Sequence, residues 1–476
     1  MKTNRLMIAA VALTACMSVG AQTSFDAAKL YGEELNGTAR YIGMGGAMGA
    51  LGSDISVISH NPAGIGTYRS SDINASLSFF GTETGTSPQS SKVSPLSSNG
   101  RSYYSNLNKS DIGCAFENVG LVLSGYDGGD SYLNFAVAYR KVKNQDRLVD
   151  YYDSFNDADG YEVWRDYINS EHNVSHAFDL NVSYNLSDML YLGWTVEILG
   201  ARTESTGTFN DYYEAGNHPA FSGRYYVTGA DWVTTSRGSG FNMAFGMILR
   251  PITPLRLGVA LKSPTRYNQE LRYEDWDGMF EEQEIGESRR SVNYRFISPW
   301  SLDLSAGLTI DKSAFGIEYE KHFTQRSSLS IDNVKMLNQG SMYFKNYSVF
   351  KVGFEQNIGN LSLRCGYNYS GSIYNDIALP YLYDGINGWQ NDSRGEVSEV
   401  GRFDFQTERV DNVRNCTLGL GYCSAPDYDG TQFYVDLAYV YGRRYSNLMM
   451  NELDEDMPAN YLTSSHKVQV TIGWTF

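Results

Sequence analysis

The sequence predicts an all-β chain, a fourteen-stranded antiparallel transmembrane β-barrel with an N-terminal plug inside its lumen. Three observations carry this. Apolar and polar residues alternate with a period of two in segment after segment, the pattern of a strand with one apolar face. Connections alternate between short turns and long polar stretches, as the two ends of an outer-membrane barrel do. Glycine (47) and tyrosine (36) are abundant, proline is scarce (11), and mean hydropathy is −0.37 with 42% hydrophobic residues. Amphipathic strands with aromatic ends produce that balance.

Residues 1–21 read as a secretory signal peptide. Lys2 and Arg5 precede an apolar run over 6–13, and Val19-Gly20-Ala21 offers a small-residue cleavage site. The run is too short to span a bilayer. A lipoprotein-type cleavage before Cys16 is the alternative. Cleavage after Ala21 leaves 36 basic against 54 acidic residues, a net charge of −18, which argues against a nucleic-acid partner. No later apolar run is long enough for a transmembrane helix, so any crossing is made by strands. Cys114, Cys365, Cys416 and Cys423 form no CxxC or zinc pattern, and Cys416 and Cys423, seven apart, face opposite ways if they share a strand.

Residues 22–71 are the expected plug, or hatch, with a short helix near 25–35. Its centre, 37–68, is too glycine-rich for a helix interior and too irregular for a strand. Gly43, Gly45 and Gly46 permit close backbone packing, and Asn61-Pro62-Ala63-Gly64 stops any regular element. These seven residues are the candidate plug and gating positions.

Residues 72–476 are the expected barrel with long extracellular loops. In 72–80, Ile73, Ala75, Leu77 and Phe79 oppose Asn74, Ser76 and Ser78. Leu133, Phe135, Val137 and Tyr139 oppose Asn134, Ala136, Ala138 and Arg140. The same holds for 178–186, 190–198, 241–250, 255–262 and 300–308. Further strands are expected near 118–126, 315–319, 350–354, 361–369, 416–422, 433–439 and 468–476. Short turns fall at 127–130, 187–188, 251–254, 311–313, 359–360 and 425–430. Long polar stretches fall at 81–111, 142–175, 203–238, 273–294, 324–344, 371–411 and 446–464. A soluble β-sandwich also alternates, but it explains neither this short/long alternation nor a strand ending on Phe476.

Gly45-Gly46-Ala47, then Asn61-Pro62-Ala63-Gly64, then a first strand, resembles the FadL/TodX family of outer-membrane long-chain fatty acid transporters. So does the stretch Gly238-Ser239-Gly240-Phe241-Asn242 with the turn at 251–254, Arg256-Leu257-Gly258 and Lys262-Ser263-Pro264. The resemblance runs over essentially the whole mature chain. It implies a plugged fourteen-stranded barrel in the Gram-negative outer membrane. It implies passive uptake of fatty acids or similar hydrophobic molecules, captured at the loops and released sideways into the bilayer where a strand is kinked. Gly193 and residues 136–138 are the expected kink positions.

A carboxylate ligand needs a cation in the lumen. Arg140, Arg250, Arg256, Lys262, Lys351, Arg364 and Lys467 fall on the polar face, and pairing with Asp179, Glu197, Asp303, Glu318 or Glu355 is the expected fate of each, because isolated buried charges are costly. An apolar collecting groove needs loop aromatics: Tyr151, Tyr152, Phe155, Trp164 and Tyr167 in one loop, Tyr374, Tyr381, Tyr383 and Trp389 in another. Stiffening of loops or contact with sugars serves such residues equally well.

Catalysis has little support. Glu318 and Glu320 share a strand face, but no GxSxG, HExxH or P-loop is present, and His176 and His466 have no nucleophile context. No cofactor is expected. Two other functions are weighed: a barrel that docks an exported protein through its loops in a secretion system, and a haem receptor using His60 beside Asn61 as an axial ligand.

Overall fold

The computed structural model describes residues 30, 32, 34–88, 110–156, 160–220, 222–279, 284–331, 334–335, 344–374, 390–391, 397–398, 409–449 and 458–476. The expected signal peptide with Cys16, the helix near 25–35, Tyr381, Tyr383 and Trp389 lie outside the described residues.

Among the described residues, fourteen wall strands follow one another: β1 Asp72–Pro88, β2 Ser110–Gly128, β3 Ser131–Asn156, β4 Glu162–Leu186, β5 Leu190–Tyr213 and β6 Tyr225–Ile252 come first. Three interrupted strands are next. β7 has a lower arm Leu255–Lys262 and an upper arm Arg266–Met279. β8 has an upper arm Glu284–Ile297 and a lower arm Ser301–Ile310, and β9 a lower arm Ser313–His322 and an upper arm Ser328–Ile331. β10 Tyr347–Ile358, β11 Leu361–Gly371, β12 Arg409–Cys423, β13 Gln432–Met449 and β14 Pro458–Thr475 complete the ring. Each strand pairs antiparallel with its neighbours, and β1 pairs with β14 from Asp72↔Thr475 onward, which closes the sheet. Among the described residues the lower wall is thereby closed, with no open edge.

The expected faces are the observed ones over the lower wall. Phe135, Trp194, Phe245, Leu257, Leu304, Phe350, Leu418 and Ile472 are exposed on the outside, while Asn134, Asn181, Thr195, Asn242, Ser305 and Thr471 are buried on the inside. A belt of exposed apolar side chains around a closed ring requires a hydrocarbon surround. The six expected turns all lie at one end, here called the turn end, where Ser71 and Phe476 exchange backbone hydrogen bonds.

The other end differs from expectation. Much of what reads as loop is strand: β3, β4, β5 and β6 rise through residues 142–156, 162–175, 203–213 and 225–238. The reason lies in β7, β8 and β9. Each is broken, at 263–265, 298–300 and 323–327, and each break changes which parity faces inward. Below, Gly258 and Ala260 face in and Leu257 and Leu261 face out. Above, Tyr267, Gln269 and Leu271 face in and Arg266, Asn268 and Arg272 face out. The outside turns polar and the inside apolar, so the breaks mark the rim of the apolar belt. Pro264 and Pro299 cannot donate to a ladder. The remaining groups are satisfied across the break, by Ser263 N–H to Met243 O (2.8 Å), Ser298 N–H to Thr265 O (2.9 Å) and Phe323 N–H to Trp300 O (3.0 Å).

Residues 37–67 lie inside the ring and are almost wholly buried. Helix α1, Ala39–Gly43, starts at Thr38, whose side chain accepts from Tyr41 N–H. Two 3-10 turns follow, Ile55–Ser59 capped by Asp54 and Pro62–Thr67 capped by Asn61. The wall meets this inner segment with glycine. Gly307, Gly316, Gly353 and Gly366 stand directly opposite one another across β8 to β11. A Cβ on Gly316 would collide with Ala47 O, on Gly353 with Met44 O, and on Gly366 with Gly45 N. Gly193 and Gly246, paired across β5 and β6, receive Pro62 and Asn61 in the same way. Gly193 and residues 136–138 are therefore regular strand, not kinks. Register irregularities instead lie near Glu117, at Lys141/Lys143, Asp211/Tyr212 and Val410/Asn412, and at the three breaks.

A Gly353→Val variant tests this seat. Its side chain forces the inner segment or the strand to shift, at about 1–3 kcal/mol of overpacking. The barrel should still run as a heat-modifiable folded species, melt earlier and conduct more ions in planar bilayers. Unchanged melting and conductance would mean that the segment does not rest on the glycine rung.

Candidate functional site

Above the inner segment, inward side chains of the upper arms pack into an apolar cluster. Val142, Ala177, Leu199, Ala201, Tyr267, Leu271, Tyr294, Phe296, Leu329, Phe344 and Tyr374 form one buried cluster, with Leu30, Ile373 and Val410 packed against it. They come from β3, β4, β5, β7, β8, β9 and β12 and from the residues flanking β10 and β11. Tyr267 stacks on Phe296 with centroids 6.3 Å apart, Phe344 meets Tyr374 at 5.9 Å, and Tyr294 Oη bonds Ser236 Oγ at 2.7 Å. Buried hydroxyls with partners let aromatics line an apolar space without an unsatisfied group.

Beside the cluster stands a cationic group that the strand pattern hides. A bulge in β3 at Lys141/Lys143 turns both Val142 and Lys143 inward. Lys143 is buried near Glu34, Glu171 and Arg444, and lies above the exposed apolar belt, whose last member on this strand is Val137. Burial pushes its ammonium down to about 8, against the pull of Glu34 and Glu171. Arg147 and Glu171 are 3.8 Å apart and Arg444 and Glu34 3.9 Å, both at the outer limit of ion pairing. Glu34 also caps the bulge: its N–H donates to Val142 O (3.2 Å) and its carboxylate accepts from Asn144 N–H (3.2 Å).

The expected lumen cations occupy a lower belt. Arg140 pairs with Asp179 (2.7 Å) and Glu197 (3.0 Å), and Lys262 with Glu197 (3.0 Å). Lys351 pairs with Glu318 (2.7 Å) and Glu320, Arg364 with Glu355 (2.6 Å) and Asp436 (2.5 Å), and Lys467 with Glu117 (3.2 Å). Arg256 donates to Leu51 O of the inner segment (2.6 Å). Arg250 is a correction: it sits at the turn end, bonded to Asp188 (2.8 Å) and Thr253 O (3.0 Å). Asp303 also departs from expectation, since among the described residues no cation bonds it.

The same belt holds the inner segment. Arg40 bonds Glu355 through two nitrogens (3.0 and 3.1 Å), Gly49 N–H donates to Glu318 (2.8 Å), and Thr195 Oγ1 donates to Ile58 O (2.7 Å). Gly43 packs against Gly419, and Gly45 and Gly46 adopt φ of 61° and 80°. Asn61 accepts from Ala63 N–H (3.2 Å), Pro62 opens the turn, and a Cβ on Gly64 would strike Val57. His60 stacks on Tyr41 and lies 3.1 Å from Glu320.

The loop aromatics divide. Tyr374 joins the apolar cluster and Trp164 is half-buried on β4 opposite Tyr212. Tyr151 and Tyr152 lie on β3, in register with Tyr167 and Asp166. Cys114, Cys365, Cys416 and Cys423 are free thiols on the wall.

No family model and no curated protein matches the sequence. Solved structures do. A FadL homologue of Pseudomonas aeruginosa is 14% identical, with 93% of this chain and 99% of that one covered and a TM-score of 0.59. The toluene transporter TodX of Pseudomonas putida is 12% identical over 93% and 99%, with a TM-score of 0.53. The monoaromatic hydrocarbon channel CymD is 12% identical over 92% and 98%, with a TM-score of 0.51. At these identities the likeness establishes a shared fold.

The lower belt predicts a stability effect. Arg140→Met strands the fully buried Asp179 and should cost about 3–5 kcal/mol in urea unfolding. Arg140→Met with Asp179→Asn should recover most of it. Equal losses in both variants would show that the pair is not the cause.

Proposed function

We propose that this chain is an outer-membrane channel for passive uptake of long-chain fatty acids or similar hydrophobic molecules with an acidic end. One observation carries the reading. An apolar cluster lies inside the ring, a buried Lys143 with Arg147 and Arg444 adjoins it, and a belt of ion pairs lies beneath. A hydrocarbon tail fits the first and a carboxylate the second.

The belt beneath argues for the route. A hydrophobic solute heading for the turn end must separate the inner segment from Glu318, Glu355 and the glycine rung, stranding buried charge. Release sideways through the wall avoids that. The inner segment is thus a hatch that blocks leakage while solute leaves into the bilayer. The fold shared with channels for toluene and other monoaromatic hydrocarbons supports the class of solute. The acidic end is argued from Lys143, Arg147 and Arg444 alone.

Lys143→Met should weaken binding of a fluorescent long-chain fatty acid about ten- to a hundredfold, the worth of a charge-assisted hydrogen bond. Binding of a neutral aromatic probe should not change. Lys143 is charged below about 8 and neutral above it, so fatty acid affinity should fall as pH rises past that value. A bound carboxylate moves the midpoint upward. Equal loss of both probes, or a flat profile to pH 10, would remove Lys143 from the site.

A further inference from the structure

We propose a divalent-cation site where the inner segment meets β8 and β9, formed by His60, Asp303, Glu318 and Glu320. The four groups converge from three places. Glu318 and Glu320 are two apart on the inward face of the lower arm of β9. Asp303 and Ser305, on the lower arm of β8, stand directly opposite Glu320 and Glu318. His60 reaches in from the end of the first 3-10 turn. The ligand atoms of His60, Glu318 and Glu320 all lie within 4.8 Å of one another, and His60 Nδ1 is 3.1 Å from Glu320 Oε1. Two ligands at about 2.1 Å from one ion are separated by roughly that distance.

The independent observation is Asp303. It is 6% exposed, and among the described residues no N–H or hydroxyl donates to either of its carboxylate oxygens. Its near neighbours are the carboxylates of Glu318 and Glu320, with Lys351 beyond. The Ser305 hydroxyl, against Glu318, also lacks a partner. Lys351 bonds Glu318 and Glu320 and supplies one positive charge against three carboxyl groups. Carboxyl groups crowded away from water with a single cation are costly to ionise, and one divalent ion offsets that cost. Imidazole with carboxylates favours a first-row transition ion such as Mn²⁺ or Zn²⁺ over Mg²⁺ or Ca²⁺. The ion would tie the inner segment to the wall.

The test uses the full chain, stripped with chelator in detergent and titrated with Mn²⁺ followed by electron paramagnetic resonance. One tight equivalent is expected, with at least a tenfold loss of affinity in Asp303→Asn and in His60→Ala. Glu270→Gln, an acid on the outer arm, should bind as the parent does. Zn²⁺ should raise the melting temperature of the parent and not of Asp303→Asn. Anomalous diffraction from Zn²⁺-soaked crystals of the parent checks the place without relying on any variant. A peak between Asp303, Glu320 and His60 supports the site. A peak elsewhere, absence of binding, or affinity unchanged in both variants overturns it and leaves Asp303 as a neutral buried carboxylic acid.

Discussion

Backbone against backbone is the contact on which the interior depends. Across β8, β9, β10 and β11 the wall presents Gly307, Gly316, Gly353 and Gly366 in one rung, and the main chain of residues 44–47 lies directly on it. One added methyl at any of three of these glycines would meet a carbonyl or amide of the inner segment. The rung fixes how deep that segment sits. At that depth Arg40 reaches Glu355, Gly49 N–H reaches Glu318, and His60 reaches Glu320. Gly45 turns the chain there at φ 61°, a conformation that other residues seldom adopt.

From that seat the lumen acquires two layers of opposite character. The lower layer is polar and paired, with Arg140, Lys262, Lys351, Arg364 and Lys467 each facing carboxylates. The upper layer is the apolar cluster. Buried ion pairs contribute little net stability, because desolvation offsets attraction, but breaking one leaves a bare charge in a poor solvent. In the proposed route their effect is a barrier: a hydrocarbon has nothing to gain below the apolar cluster and much to disrupt.

How much of this was legible in the sequence follows from what the surround demands. Where hydrocarbon touches the wall, every outward side chain must be apolar, so period two is strict and the faces of β3, β5, β7 and β10 read directly, as do the six turns. The charged belt read in part: Arg140, Lys262, Lys351, Arg364 and Lys467 face inward acids, while Arg250 and Asp303 depart from the pattern. Above the rim the outer face meets water, the alternation loses its contrast, and long strand arms read as loops. Tyr267, Tyr294 and Phe296 stood in or beside those stretches with parity already inverted. Lys143 escaped because a bulge puts two neighbouring residues on one face, which no periodic reading anticipates. The glycines on the inner face were visible, but their purpose was not, because it belongs to a segment distant in sequence.

The inversion of parity also bears on the route out. Three neighbouring strands change face at one level, so the rim of the belt is a step and not a gradient. The first inward residues past the breaks, Tyr267, Phe296 and Leu329, belong to the apolar cluster. This part of the apolar cluster thus lies at the rim, close to the exposed apolar belt outside. Opening a regular ladder there would break a bond for every paired group. At 263–265 and 298–300, prolines have already removed two donors, and the neighbouring connections are a few bonds through Ser263, Thr265 and Ser298. In the proposed route, a wall that parts at this level breaks fewer backbone bonds than anywhere in the belt below.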